Sequence, residues 1–330
     1  MTSLVGNRPA REAFFDAARG GSLHHAWLIA GPEGVGKASF ATHAAARLLA
    51  ASGWGMAPTD EPLAEDHPVA RQMAAAAYPD FRLLARLPKD PEKPDVDIAR
   101  SITVDQVRAL GPMLSTRPSM GERRVILIDA VDDLAREGAN ALLKSLEEPP
   151  AGTIFLLISH APGRLLPTIR SRCRLLRFDP LSDAEMGVVI DRALPDLNAE
   201  DRRALIAAGA GSPGRAIAYA HLDMAELERA FAKLLSEGDG DNRIRLHLAK
   251  ALSGKAAQER YEAFLARAPS VVADHARHRR GEPLRQALDA YARVRAIASV
   301  AVPQSFDAGA TVFEIAGILA GLALDDRKAA

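Results

Sequence analysis

The sequence predicts an α/β P-loop domain with a mostly parallel sheet, followed by a small helical domain and an all-α C-terminal domain. Three observations carry this. Short apolar runs alternate with helix-like segments up to about residue 179, a glycine-rich loop directly follows the first strand, and beyond Pro180 the pattern turns helix-only. The chain has 330 residues, enough for two or three domains at roughly 150 residues each. We place them at 1–179, 180–223 and 224–330.

The elements follow from local patterns. "AWLIA" (26–30) reads as a buried strand, and the loop after it opens a helix from about Lys37 to Leu49 with Phe40, Ala44 and Leu48 on one face. Residues 51–80 are Ala-rich and irregular, "FRLLAR" is a second strand, and "LPKDPEKPDVDIARS" is a charged, proline-broken loop. Thr103 and Gln106 stand at capping-box spacing, which starts a helix near Val104. "RRVILIDA" is a basic edge running into an apolar strand that ends at Asp129. The helix of "DDLAREGANALLKSLEE" is stopped by Pro149 and Pro150. "TIFLLIS" (153–159) and "RLLRF" are further strands. Ser182 and Glu185 form a second capping box, Ser212 and Pro213 begin another helix, and amphipathic helices follow, separated by "SEGDGDN", "ARAPS" and "AVPQSFD".

Composition narrows the function. Lys plus Arg and Asp plus Glu are both 42, so no global basic field favours non-specific nucleic-acid binding. One cysteine, Cys173, excludes an internal disulfide framework, fits a reducing cytoplasm, and reads as a small buried hydrophobe. No Cys/His cluster has zinc-ligand spacing, so no zinc is expected. The late apolar stretch "VFEIAGILAGLAL" carries Glu314 and is too short to span a bilayer, so no membrane partner is expected.

The chemistry gathers at "GPEGVGKASF" (31–40), where Gly31, Gly34, Val35, Gly36 and Lys37 make a phosphate cradle with Ala38 and Ser39 opening the helix. Backbone N–H groups at such a helix start converge on phosphate oxygens, and the lysine adds a mobile cation. The hydroxyl that normally ligands Mg²⁺ belongs at position 38, and Ala38 has none; Ser39 lies about 100° around the helix. Asp129 suits the carboxylate that holds Mg²⁺ through water, but Ala130 stands where a water-orienting acid is needed. Asp132 and Asp133 read as N-cap and first-turn residues of the next helix. Ser159, ending its strand, is either a nucleotide sensor or a turn residue. Arg215 either folds over the loop or is simply exposed. Arg172, in "SRC", either reaches across a subunit boundary to a neighbour's γ-phosphate or is one solvated arginine among Arg170, Arg174 and Arg177. The basic "HARHRRGEP" (275–283) reads as a solvated helix end.

Taken in order, "LHHAWLIAGPEGVGK", "ITVDQVRAL", "ANALLKSLEEPP", "LLPTIRSRC" and "GSPGRA" resemble the delta-prime subunits of the bacterial DNA polymerase III clamp loader, in the AAA+ superfamily. The resemblance implies an AAA+ P-loop domain, a helical lid and a C-terminal helical collar joining five subunits. It implies as partners the tau/gamma motor subunits and the delta subunit, and through the complex the sliding clamp and primer-template DNA at cytoplasmic, nucleoid-associated forks. It also implies a non-hydrolysing stator in which Arg172 is the arginine finger for a neighbour. ATP or ADP in its own cleft, with Mg²⁺ only alongside it, stays open, because Gly36 and Lys37 are kept. Relatives that carry a four-cysteine zinc module differ here, since residues 51–80 contain no Cys. An active motor subunit of the same machine, or a P-loop enzyme outside replication, are the alternatives.

Overall fold

The computed structural model describes residues 3–90, 98–277 and 279–329. Segment 91–97 of the predicted charged loop and His278 of the basic cluster lie outside the described residues. The chain divides into two compact units, Met1–Val189 with Gly211–Gly214, and Ile190–Ala210 with Arg215–Ala330.

The first unit contains, in order, α1 (Arg8–Arg19), β1 (Ala26–Ala30), α2 (Lys37–Trp54), α3 (Pro68–Ala74), β2 (Phe81–Ala85), α4 (Val104–Arg108), α5 (Gly111–Leu114), β3 (Arg124–Asp129), α6 (Arg136–Glu147), β4 (Thr153–Ser159), α7 (Pro167–Arg170) and β5 (Arg174–Arg177). The five strands form one sheet of order β2-β3-β4-β1-β5, every pair parallel. Parallel neighbours need crossovers, and these put helices on both faces. That is why β1 and β4 are buried at every position, and apolar throughout except for Thr153 and Ser159 at the two ends of β4.

Alternate strand residues serve the two faces. Leu28, Ile126, Ile128, Phe155 and Leu157 pack against Val107 of α4, Leu142 and Leu146 of α6 and Ile169 of α7. On the other face Trp27 meets Phe14 of α1 edge-on at 5.0 Å, and Phe14 meets Phe40 of α2 at 5.5 Å.

Several expectations change in detail. α2 runs on to Trp54, because Leu48, Leu49 and Ala50 are buried, and it stops where Gly55 turns left-handed at φ +65. The stretch read as irregular also holds α3, whose start His67 caps by accepting from the Val69 N–H. Thr103 and Gln106 do form a capping box, but its helix closes after one turn and resumes as α5. Arg124, read as part of a basic edge, is instead buried. Its guanidinium lies 3.4 Å from the fully buried Asp80 and donates to the carbonyls of Met113, Thr116 and Arg117. Asp80 in turn accepts from the N–H groups of Ser119 and Met120 at 2.7 Å each. The ion pair survives burial because both partners are otherwise hydrogen-bonded.

The chain continues through α8 (Asp183–Ala193), α9 (Ala199–Gly209), α10 (Pro213–Ala218), α11 (Met224–Glu237), α12 (Arg243–Leu252), α13 (Gln258–Ala276), α14 (Gly281–Ala301) and α15 (Ala308–Ala329). Ser182 and Glu185 make the expected capping box at the start of α8. Within the second unit, Phe231 of α11 stacks on Phe264 of α13 at 5.3 Å. "ARAPS" does not separate two helices: α13 passes through Pro269, held by the buried Phe264, Ala268 and Val272. Tertiary packing here outweighs the lost hydrogen bond of an interior proline. Arg267 on the same helix is buried and bonded to Glu228 at 2.6 and 3.1 Å and to Asp274 at 3.2 Å. Among the described residues no helix is long and apolar enough to cross a membrane.

Candidate nucleotide-binding site

In an open parallel sheet, ligands sit outside the C-terminal strand ends, where the order of connection reverses. β1, β3 and β4 end there with Ala30, Asp129 and Ser159. The loop after β1 adopts positive φ at Gly34 (+74) and Gly36 (+99), and Gly36 stands at the N-cap of the 18-residue α2. A side chain at Gly31 would place its Cβ 2.1 Å from the Phe178 carbonyl oxygen, so only glycine fits there. The loop is tied down on two sides. The Gly31 N–H donates to the Ser159 carbonyl at 3.2 Å, the Gly214 N–H to the Gly34 carbonyl at 2.9 Å, and the Ser212 hydroxyl to the Glu33 carbonyl at 2.8 Å.

A cleft of about 440 Å³ opens against the loop, lined among others by Glu33, Lys37, Arg86, Asp129, Asp133 and His160. Val35 is buried behind the loop, while Ala38 and Ser39 face the cleft. Lys37 is 3% exposed, and its Nζ donates to the carbonyls of Gly31 at 2.7 Å and Pro32 at 2.5 Å. Burial pulls its pKa down to about 8, against the opposing pull of Asp129, Glu33 and Asp132. Burial likewise raises the pKa of Asp129, and His160 and Lys37 only partly counter it.

The two later aspartates do not cap the following helix. They lie on a separate turn, Val131–Asp133, and α6 begins only at Arg136, with Ala135 as an N-cap that makes no side-chain bond. Asp132 binds the end of β4, accepting from the Ser159 hydroxyl at 2.9 Å, the His160 N–H at 2.7 Å and the Ala161 N–H at 3.2 Å. Three converging donors outweigh a helix-dipole contact. Asp133 pairs with Arg86 at 3.0 Å. The hydroxyl hydrogen of Ser159 is therefore committed to Asp132.

The cradle suits a polyphosphate, with a long helix presenting its N-terminus, positive-φ glycines and a buried lysine. It supplies no ready Mg²⁺ donor set. Asp129 lines the cleft, but Ala38 has no side-chain oxygen to give, Asp132 already accepts three hydrogen bonds and Asp133 is paired. Among the described residues, no three His, Cys, Asp or Glu side chains are grouped to hold a metal.

Arg172 lies elsewhere. It precedes β5, whose Arg174 pairs in register with Trp27 near the start of β1, so it sits at the N-terminal edge of the sheet. Its guanidinium contacts Glu147 Oε1 at 2.7 Å and donates to the Thr168 carbonyl at 2.9 Å. The neighbouring arginines have other employment: Arg174 lies over the Trp27 ring at 5.0 Å, and Arg177 is 3.7 Å from Asp179. Cys173 packs against the core, and burial pushes its thiol up to about 12, which keeps it protonated and inert. Arg215 lies on α10 and belongs to the second unit. Reading the sequence missed Arg86, the tie from Ser212 and Gly214, and Glu147 as the partner of Arg172; none leaves a short-range pattern.

A five-stranded parallel sheet of this order, a glycine-rich loop between β1 and the long α2, and an aspartate ending the apolar β3 two strands away define a P-loop α/β fold. The chain belongs to the family described as DNA polymerase III, delta subunit, whose model matches residues 6–182. The DNA polymerase III subunit delta' of Pseudomonas aeruginosa is 39% identical over 207 residues, covering 62% of this chain and 58% of that one. The Escherichia coli subunit delta' is 32% identical over 211 residues, covering 64% and 59%. The chain thus spans less than two thirds of the length of these relatives. Among solved structures, a DNA polymerase III gamma subunit-related protein from Thermotoga maritima aligns with a TM-score of 0.42 at 15% identity, covering 94% of this chain and 99% of that one.

Proposed function

We propose that this chain serves as the delta-prime subunit of a DNA polymerase III clamp loader, supporting ATP-dependent loading of the sliding clamp onto primed DNA. It acts as a stator and arginine-finger donor with little or no hydrolysis of its own. Its partners are tau/gamma motor subunits and a delta subunit in a cytoplasmic hetero-pentamer, with the clamp and primer-template DNA engaged through the assembly. The cleft beside Lys37 takes ATP or ADP, and Mg²⁺ enters only with the nucleotide.

The observation that carries the finger role is the position of Arg172. It lies at one edge of the sheet and the phosphate cradle at the other, separated by the length of β1. Five strand residues span about 17 Å, well beyond an arginine's reach. That separation supports a role for Arg172 on a phosphate other than its own chain's. The absent oxygen at Ala38 and absent acid at Ala130 support the stator half of the reading.

The chemistry is phosphoryl transfer on a neighbour, with charge spreading over the equatorial oxygens of the transferred group. A guanidinium placed there stabilises that charge in a water-poor junction. In the reconstituted complex, Arg172→Ala should leave assembly intact and lower DNA-stimulated ATPase, the one site it serves losing about 10³-fold or more. Unchanged turnover would remove the assignment.

A further inference from the structure

Glu147 is the last residue of α6, where a carboxylate meets the negative end of the helix dipole. A local preference does not account for an acid there, but a cation across from it does. Arg172 is that cation, at 2.7 Å, and the Thr168 carbonyl at 2.9 Å holds a second nitrogen of the same guanidinium. The arginine that faces away from its own cleft is thus bound to its own chain.

The strength of this hold matters more than its presence. The Arg172 side chain is 33% exposed and that of Glu147 49%, so water and salt screen the pair. Half-exposed pairs of this kind bias an equilibrium by roughly two- to fivefold. A γ-phosphate carries more charge than a carboxylate and offers the guanidinium a forked contact. It can therefore displace Glu147, whereas solvent alone leaves the pair largely closed.

We propose that Glu147 is a restraint on Arg172, keeping the guanidinium on its own subunit until the phosphates of a nucleotide held by a neighbouring subunit outcompete it. The proposal rests on Arg172 acting in trans. Glu147 is a positioning residue: it sets the fraction of time the finger is free and touches no reacting atom. Since the apparent rate at the neighbour's site scales with that free fraction, the pair damps ATP turnover before clamp and DNA draw the subunits together.

The test uses the full complex reconstituted with its ATP-hydrolysing partners, assayed without DNA. Glu147→Gln, which keeps the shape and removes the charge, should raise kcat by roughly two- to fivefold with KM for ATP unchanged. Glu147→Ala, which removes the acceptor, should raise it at least as far. The rise should vanish in the Glu147→Gln, Arg172→Ala double variant, an epistasis that a merely structural role for Glu147 would not produce. Gel filtration verifies that each complex is assembled. If Arg172→Ala lowers turnover while both Glu147 variants leave it unchanged or lower it too, the restraint is refuted and the finger stands. If Arg172→Ala changes nothing, the finger reading falls and the restraint with it.

Discussion

Lys37 makes the free protein's stability depend on alkaline pH in a calculable way. Its pKa is lowered from an ordinary 10.5 to about 8, chiefly by burial, and the side chain is 3% exposed, so solvent relieves little of the cost. The folded state therefore binds fewer protons than the unfolded state between about pH 8 and 10.5. Below about 8 the lysine is charged in both states and the full penalty for burying that charge is present. As pH rises through 8 the folded state sheds the proton first, so this residue's contribution to stability increases with pH. Integrated over the window, the gain approaches about 3 kcal/mol. The perturbation is Lys37→Met, which keeps the length of the side chain and removes the titration. Urea unfolding, read by fluorescence of the buried Trp27, is measured for both proteins from about pH 7 to 10. The stability of the wild type minus that of the variant should climb by about 2 to 3 kcal/mol, flat at first and rising above pH 8. A difference that stays level, or falls, would mean that the carbonyls of Gly31 and Pro32 and the nearby carboxylates hold the ammonium charged, and would refute the reasoning.

Two further outcomes test the packing behind the site and the second unit. Gly31→Ala forces a methyl group against the Phe178 carbonyl oxygen, 2.1 Å from the ideal Cβ position, and should cost at least about 2 kcal/mol in the unfolding of the first unit. Arg267→Met removes the cation shared by Glu228 and the half-exposed Asp274, which water can partly re-solvate, and should cost about 1 to 3 kcal/mol, seen as an earlier loss of helical circular dichroism.

What the sequence determined by itself was everything written in short-range pattern. The uninterrupted apolar runs of β1, β3 and β4 announce strands buried on both faces, because a parallel sheet covered by helices asks for that composition. The glycines and lysine of the loop, the capping residues Thr103 and Ser182, and the gaps at Ala38 and Ala130 are each legible within a few residues. The tertiary structure decided the rest. Asp132 looked like the start of a helix and instead fastens the end of β4, since only the pairing of β3 with β4 brings Ser159 and His160 to it. Pro269 looked like a break and is carried through by buried neighbours on α13. Glu147 showed no role until α6 and the turn before β5 met at the same edge of the sheet. Local sequence fixes which backbone conformation is cheap, but the partner of a charged side chain is chosen by strand order and helix packing, which join residues far apart in the chain.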